Sequence, residues 1–246
     1  MRNYMKVLAI GLLLALFGKA EGNAQTYTQI NPTNDGMVIL QTIPGTYASK
    51  RDSTSGTGGY TTNLSVGQKY DTITYDISRV FMTFQIPALA TADACTLYMD
   101  GSNDASTEDF EIYIVTALNY GTIDVTDYIL FDGRTVGGAH TGSILNNAWN
   151  SSSWSAGWNT IIFNATGRDS IKVYSGKSIY LALISKEDYN NSAPTTSERT
   201  AFVPTSDTPD PYIALTYTTG WSGTIGNLTN PAAVGAYSKA EIKEIR

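Results

Sequence analysis

RVFMTFQI, residues Arg79–Ile86, alternates with a period of two. Val80, Met82, Phe84 and Ile86 make one wholly apolar face. Arg79, Phe81, Thr83 and Gln85 make the other, and Pro87 ends the run. This is a strand that buries one face in a core, and Phe81, on the opposite side, lies under a loop or on a second face. Cys95, Leu97 and Met99 alternate with Thr96 and Tyr98 in the next strand, so Cys95 reads as a small core residue and not as a nucleophile. Further strands are predicted at Phe110–Thr116, Thr160–Asn164, Ile179–Ile184 and Tyr212–Tyr217, separated by Gly, Asn, Asp and Ser clusters. Short alternating runs punctuated in this way specify an all-β antiparallel sandwich. The Ser-, Thr- and Gly-rich stretch Lys50–Gly67 is expected to be mostly loop.

Outward from that centre, the two ends of the chain differ in character. Arg2 and Lys6 precede an apolar run from Val7 to Phe17, and small and polar residues follow in GKAEGNAQ. These are the three parts of a secretory signal peptide cut after Ala24. The apolar run is about a dozen residues, short of the roughly 20 that span a bilayer. The expected division is residues 1–24 as signal, 25–218 as the sandwich and 219–246 as a tail. Ser238 and Glu241 in the tail have capping-box spacing for a short terminal helix, and its Asn230-Pro231-Ala232 resembles C-terminal stretches of some phage structural proteins. The expected location is secreted, on the cell surface or otherwise extracellular, with the periplasm as the other compartment that such export reaches. No second apolar run is long enough for a membrane span.

The full chain of 246 residues carries a net charge of −6, and loss of residues 1–24, with Arg2, Lys6, Lys19 and Glu21, takes it to −8. An acidic chain without a basic cluster argues against nucleic acid as a partner. It argues more mildly against bare polyanionic glycans. The single cysteine forbids an internal disulfide, so packing must hold the domain together. The sixteen tyrosines and few Lys and Glu favour strands.

The order of these segments resembles the DNRLRE-type domain, a jelly-roll module close to carbohydrate-binding module families. Asp35–Val38 resembles its opening strand, Asn63–Gly67 the short strand that follows, and Arg79–Leu89 its signature strand. Cys95–Met99, Trp158-Asn159 leading into IIFNAT, Ser178–Ser185 and Pro211–Tyr217 follow in the family's order. The likeness covers about residues 35–218. It departs where Ala-Thr-Leu is spread over Ala94–Leu97, and where Tyr120–Ala148 runs longer and more irregular. The resemblance implies a jelly-roll-like sandwich that is extracellular and non-catalytic, either appended to enzymes or used in surface assemblies. It does not name a ligand.

Catalytic chemistry finds little purchase. His140, the only histidine, lies in GGAHTG and is expected in a solvent-exposed loop, and no GxSxG elbow accompanies it. One His and one Cys exclude the usual zinc sites. A glycosidase carboxylate pair stays open, because sequence spacing does not reveal it.

Binding is better served. Trp149, Trp154 and Trp158 fall within ten residues in NNAWNSSSWSAGWN. Flat sugar faces stack on such rings while Asn and Ser meet the hydroxyls. Trp149 and Trp154 are therefore glycan-binding candidates, with Tyr60 and Tyr70 as weaker ones. Trp158, at the start of a strand, reads as structural. Asp207 and Asp210 precede the last strand, which in a jelly roll lies near the first, where Asp35 stands. These three carboxylates are the candidate ligands of a structural Ca²⁺. The expected function is a secreted glycan-binding or adhesion module, with a polysaccharide or surface glycan as partner. The alternative is a structural subunit of an extracellular, surface or virion assembly, whose tail docks on copies of itself or on other extracellular proteins. A carboxylate-based polysaccharide hydrolase is the third reading.

Overall fold

The computed structural model describes residues 25–41 and 44–220, together with two short strands beyond them. The segment expected to be a signal peptide and the expected tail helix lie outside the described residues. Two compact units divide the chain: Tyr27–Tyr217, and a second made of Met1–Thr26 with Thr218–Arg246. In the second, Thr224–Ile225 and Leu228–Thr229 pair as a small antiparallel hairpin.

The larger unit is an all-β sandwich. Its strands are β1 (Gln25–Ile30, entering from the smaller unit), β2 (Pro32–Leu40), β3 (Gly58–Tyr60), β4 (Leu64–Asp71), β5 (Thr74–Gln85) and β6 (Thr91–Asp104). They continue with β7 (Glu111–Thr116), β8 (Trp149–Asn150), β9 (Trp158–Ile162), β10 (Ser178–Ser185), β11 (Ser197–Phe202) and β12 (Tyr212–Thr218). Three short helices intervene: α1 (Tyr47–Arg51), α2 (Ala165–Val173) and α3 (Lys186–Asn190). The strands run in the order β1-β12-β6-β11-β4-β5-β10-β7-β8, with β9 on β6 and the pair β2-β3 on β5.

One long strand curls this sheet into two layers. The first part of β6 pairs with β9, from Thr96 opposite Ile162 to Asp100 opposite Trp158. From Gly101 onward it pairs with β11 instead, across a register shift at Ala201/Phe202. Gly101 sits at the changeover, where a Cβ would lie 2.0 Å from the Ser155 carbonyl oxygen. Only glycine lets the two segments approach so closely.

The predicted apolar face of β5 is the heart of the main core. Val80, Met82 and Phe84 meet Leu97 and Met99 of β6, Ile213 and Leu215 of β12, and Leu181 of β10. The other face of β5 is buried too. Phe81 joins Val38, Val115, Tyr128, Phe131 and Ala182 in a second core, roofed by residues 117–131. Its ring meets Tyr120 edge-on at 5.6 Å. The stretch 50–67 is only partly loop, since α1 ends at Arg51 and β3 and β4 lie in its second half. Leu64 and Val66 supply the alternation that buries β4.

Candidate functional site

The outer face of the layer β9-β6-β12-β1 carries an aromatic surface. Alternation turns Ile161, Leu97, Met99, Ile213 and Leu215 inward. It turns Trp158, Thr160 and Ile162 of β9 outward, with Thr96, Tyr98 and Asp100 of β6, Tyr212, Ala214 and Thr216 of β12, and Tyr27 of β1. Tyr98 and Tyr212, from neighbouring strands, stack nearly parallel, 8° apart with ring centroids at 4.7 Å. The Trp158 indole meets Tyr212 edge-on at 5.2 Å and Tyr98 at 6.3 Å. Trp158 is nevertheless 43% exposed, Ile162 53% and Tyr27 61%. Burial beside Tyr98 and Tyr27 raises the Tyr212 phenol above its ordinary range.

Asn159 fixes the approach of Trp158. It points inward and is buried. Its amide donates to the carbonyls of Ser155 and Gly157, and its oxygen accepts from Ser155 N–H. The loop before β9 is thereby tied down, and the indole starts from a rigid base. The outward positions of the four strands hold no Lys or Arg. The surface offers rigid aromatic rings ringed by threonine hydroxyls, suited to stacking on apolar faces and not to phosphate.

The aromatic residues singled out from the sequence are dispersed. Trp149 is buried in the main core, edge-on to Phe202 at 6.0 Å, and presents no face to a ligand. Trp154 packs half-buried against the same core, its indole nitrogen without a hydrogen-bond partner. Tyr70 stacks on Tyr75 at 4.7 Å and donates to the Thr72 carbonyl. Tyr60 stands 41% exposed on β3. Of the three clustered tryptophans, the exposed one is Trp158, the residue read as structural.

The three aspartates form no cation site. Asp35 is buried and spends both oxygens on Thr205, accepting from its N–H and its hydroxyl. Burial raises its pKa. Asp210 accepts from the Asn31 amide, and Asp207 lies exposed in a turn closed on the Pro204 carbonyl. Among the described residues, no three His, Cys, Asp or Glu side chains are grouped to hold a metal ion.

His140 is not a loop residue in solvent. It is 3% exposed, within a cluster of charges on the second core. The N-cap Ser185 accepts from Asp188 N–H and sets Asp188 in the first turn of α3. Asp188 then takes a bidentate pair from Arg79, at 2.7 and 2.9 Å. Arg79 also donates to the Tyr128 and Arg51 carbonyls, and its guanidinium lies 4.0 Å over the Tyr128 ring. Arg51 donates to the Asp188 carbonyl, to Asp52 and to the Thr135 carbonyl. Nδ1 of His140 accepts from Thr135 N–H, Arg51 Nη2 lies 3.1 Å from Nδ1 and 3.0 Å from Nε2, and Nε2 is 3.5 Å from Asp188. Burial lowers the imidazole pKa, while Arg79 and His140 outweigh burial at Asp188 and hold its carboxyl far below the usual range. Two arginines balance two aspartates, and the donors are spent on the carboxylates, on His140 and on backbone carbonyls. The cluster ties α1, β5, residues 128–140 and α3 together, and among the described residues no serine hydroxyl is hydrogen-bonded to the imidazole. Cys95 is likewise buried, its thiol pKa pushed up by desolvation.

Compared with known proteins, the chain matches no family model and no curated protein.

Proposed function

We propose that this protein is a secreted, non-catalytic β-sandwich module that binds a glycan through the Tyr98–Trp158–Tyr212 surface. One observation carries the reading: an indole 43% exposed yet held by two stacked tyrosines on a sheet face. Exposing so large an apolar ring costs solvation free energy, and contiguous apolar surface of this kind marks interaction sites. The surrounding threonines complement hydroxyl-bearing ligands better than apolar ones. Export through the segment 1–24 and the likeness to carbohydrate-binding jelly rolls support the same reading. Commitment of the only histidine to a buried charge cluster supports a non-catalytic role.

The test is affinity electrophoresis and pull-down of residues 25–246 on a panel of neutral polysaccharides. Trp158→Ala should weaken retention by roughly 5- to 150-fold, as expected for loss of about 1–3 kcal/mol of stacking. Unaltered retention in that variant would remove the site. A second reading is favoured by Ile162 and Tyr27, which extend the patch with apolar surface that sugars do not need. In that case the face joins copies of the chain in an extracellular assembly. Absence of glycan binding, with an oligomer in analytical ultracentrifugation that Trp158→Ala dissociates, would establish it.

A further inference from the structure

Away from the aromatic face, β2, β3, β4, β11 and the end of β6 enclose an open cleft of about 210 Å³. That is room for about one sugar ring, below the roughly 300–1,000 Å³ of sites for drug-sized ligands. Tyr60 and the apolar side chains of Met37 and Ile39 form one wall. Asn63, Asn103 and Arg199 supply its free polar groups, since none of these three side chains makes a hydrogen bond or ion pair among the described residues. Thr200, also in the lining, is fully buried with its hydroxyl unpartnered.

The charge of the cleft is one-sided. None of the lining residues is Asp or Glu. The two nearest carboxylates in sequence are engaged elsewhere: Glu198 accepts from the Gln68 amide at 2.9 Å, and Asp104 accepts from Ser106. Among the described residues Arg199 is therefore a guanidinium without an ion-pair partner, beside two unpartnered amides and an exposed phenol, on a chain whose net charge is negative. A guanidinium fork matches a carboxylate in two parallel hydrogen bonds. The amides, each both donor and acceptor, match adjacent hydroxyls, and the Tyr60 ring offers a surface for a pyranose.

We infer that this cleft binds one uronic acid residue of an acidic glycan, its carboxylate on Arg199 and its hydroxyls on Asn63 and Asn103. The inference rests on the reading of the protein as a glycan-binding module, but concerns a second site. The local guanidinium offsets the chain's acidity, which argues mildly against bare polyanionic glycans unless a cation bridges them. No bridging cation is required.

The experiment is isothermal titration of residues 25–246 with trigalacturonate, triglucuronate and an alginate trimer. Each is paired with its methyl-esterified, uncharged counterpart. At least one acid form should bind at least tenfold more tightly than its ester. Arg199→Met should abolish that difference, Arg199→Lys should restore part of it, and Lys177→Met, which removes an exposed cation elsewhere, should preserve it. Thermal melts of the Arg199 variants matching the parent confirm that they fold. Should both Arg199 variants melt early, the acid-over-ester preference of the parent and its persistence in Lys177→Met still decide the matter. Binding of acid and ester alike, equal losses in Arg199→Met and Lys177→Met, or retention of neutral polysaccharide with no uronate binding would each overturn the cleft. The last leaves the proposed function standing, whereas silence toward every glycan overturns both. Binding of a peptide with a free C-terminal carboxylate, with no uronate binding, would also overturn the assignment to sugars.

Discussion

Arg79→Met tests whether the buried charge cluster braces the fold. The substitution keeps the length and apolar stem of the side chain, so packing is largely preserved. It removes the bidentate pair to Asp188 and the hydrogen bonds to the Tyr128 and Arg51 carbonyls. Asp188 is then left at about 1% exposure, with Arg51 Nε at 3.4 Å as its nearest cation and the His140 Nε2, uncharged at pH 7, at 3.5 Å. Breaking a buried pair while leaving one charge behind costs about 3–5 kcal/mol. With a urea m-value of about 2 kcal/mol/M, the unfolding midpoint should fall by roughly 1.5–2.5 M, read by circular dichroism at pH 7. Asp188→Asn should also destabilise, and the double variant should be destabilised by less than the sum of the two. Acid supplies the sign. The Asp188 carboxyl has its pKa lowered in the folded protein, so its contribution is present above the unfolded value of about 3.9 and is lost as pH falls below it. The gap between parent and variant should narrow on that side. A loss below about 1 kcal/mol at pH 7, or strict additivity of the two substitutions, would refute the brace.

Three further outcomes follow from the same structure. Trp149→Ala should cost about 3–5 kcal/mol in urea unfolding, as for other large aromatic truncations in a core, while glycan affinity of the folded protein stays unchanged. Because burial lowers the His140 pKa, its contribution is complete above about 6.5 and declines as pH falls through that value. His140→Gln should flatten the decline in melting temperature between pH 7 and pH 5. Glu187 has a buried, unpartnered Oε2, and its carboxyl is pushed up to about 7 by desolvation. Its stabilising share is therefore full below the unfolded value of about 4.3 and lost as pH rises through 7, so Glu187→Gln should raise the melting temperature more at pH 8 than at pH 4.

The strands legible in the sequence are those whose inward positions are apolar. Val80, Met82 and Phe84 reveal β5, and Ile213 and Leu215 reveal β12. Strand β11 escapes such a reading because its inward positions include Glu198 and Thr200, both buried, with Gln68 satisfying the carboxylate. Nothing in SERTAF announces a strand until β4 and β6 are known to flank it. The Arg79 cluster was hidden for a related reason. Arginine on the second face of a strand reads as solvent contact, and only the fold brings Asp188, 109 residues away, to meet it.

The aromatic surface divides more instructively. The two tyrosines stand at outward parity in the sequence: Tyr98 lies between Leu97 and Met99, and Tyr212 precedes Ile213 and Leu215. Trp158 is more ambiguous, because Ile161 and Ile162 claim opposite faces. Phe163 casts the deciding vote by burying with Ile161, which turns Trp158 out. What parity does not reveal is adjacency, since β9, β6 and β12 are distant in sequence. Clustering in sequence pointed instead to NNAWNSSSWSAGWN, where three tryptophans lie on β8, on β9 and in the loop between them and meet three different surroundings. For a sheet protein, rings meet across strands and not along a loop. Outward aromatics on separate strands are therefore a better guide to a binding face than aromatics close in sequence, and Trp158 is where the two criteria coincide.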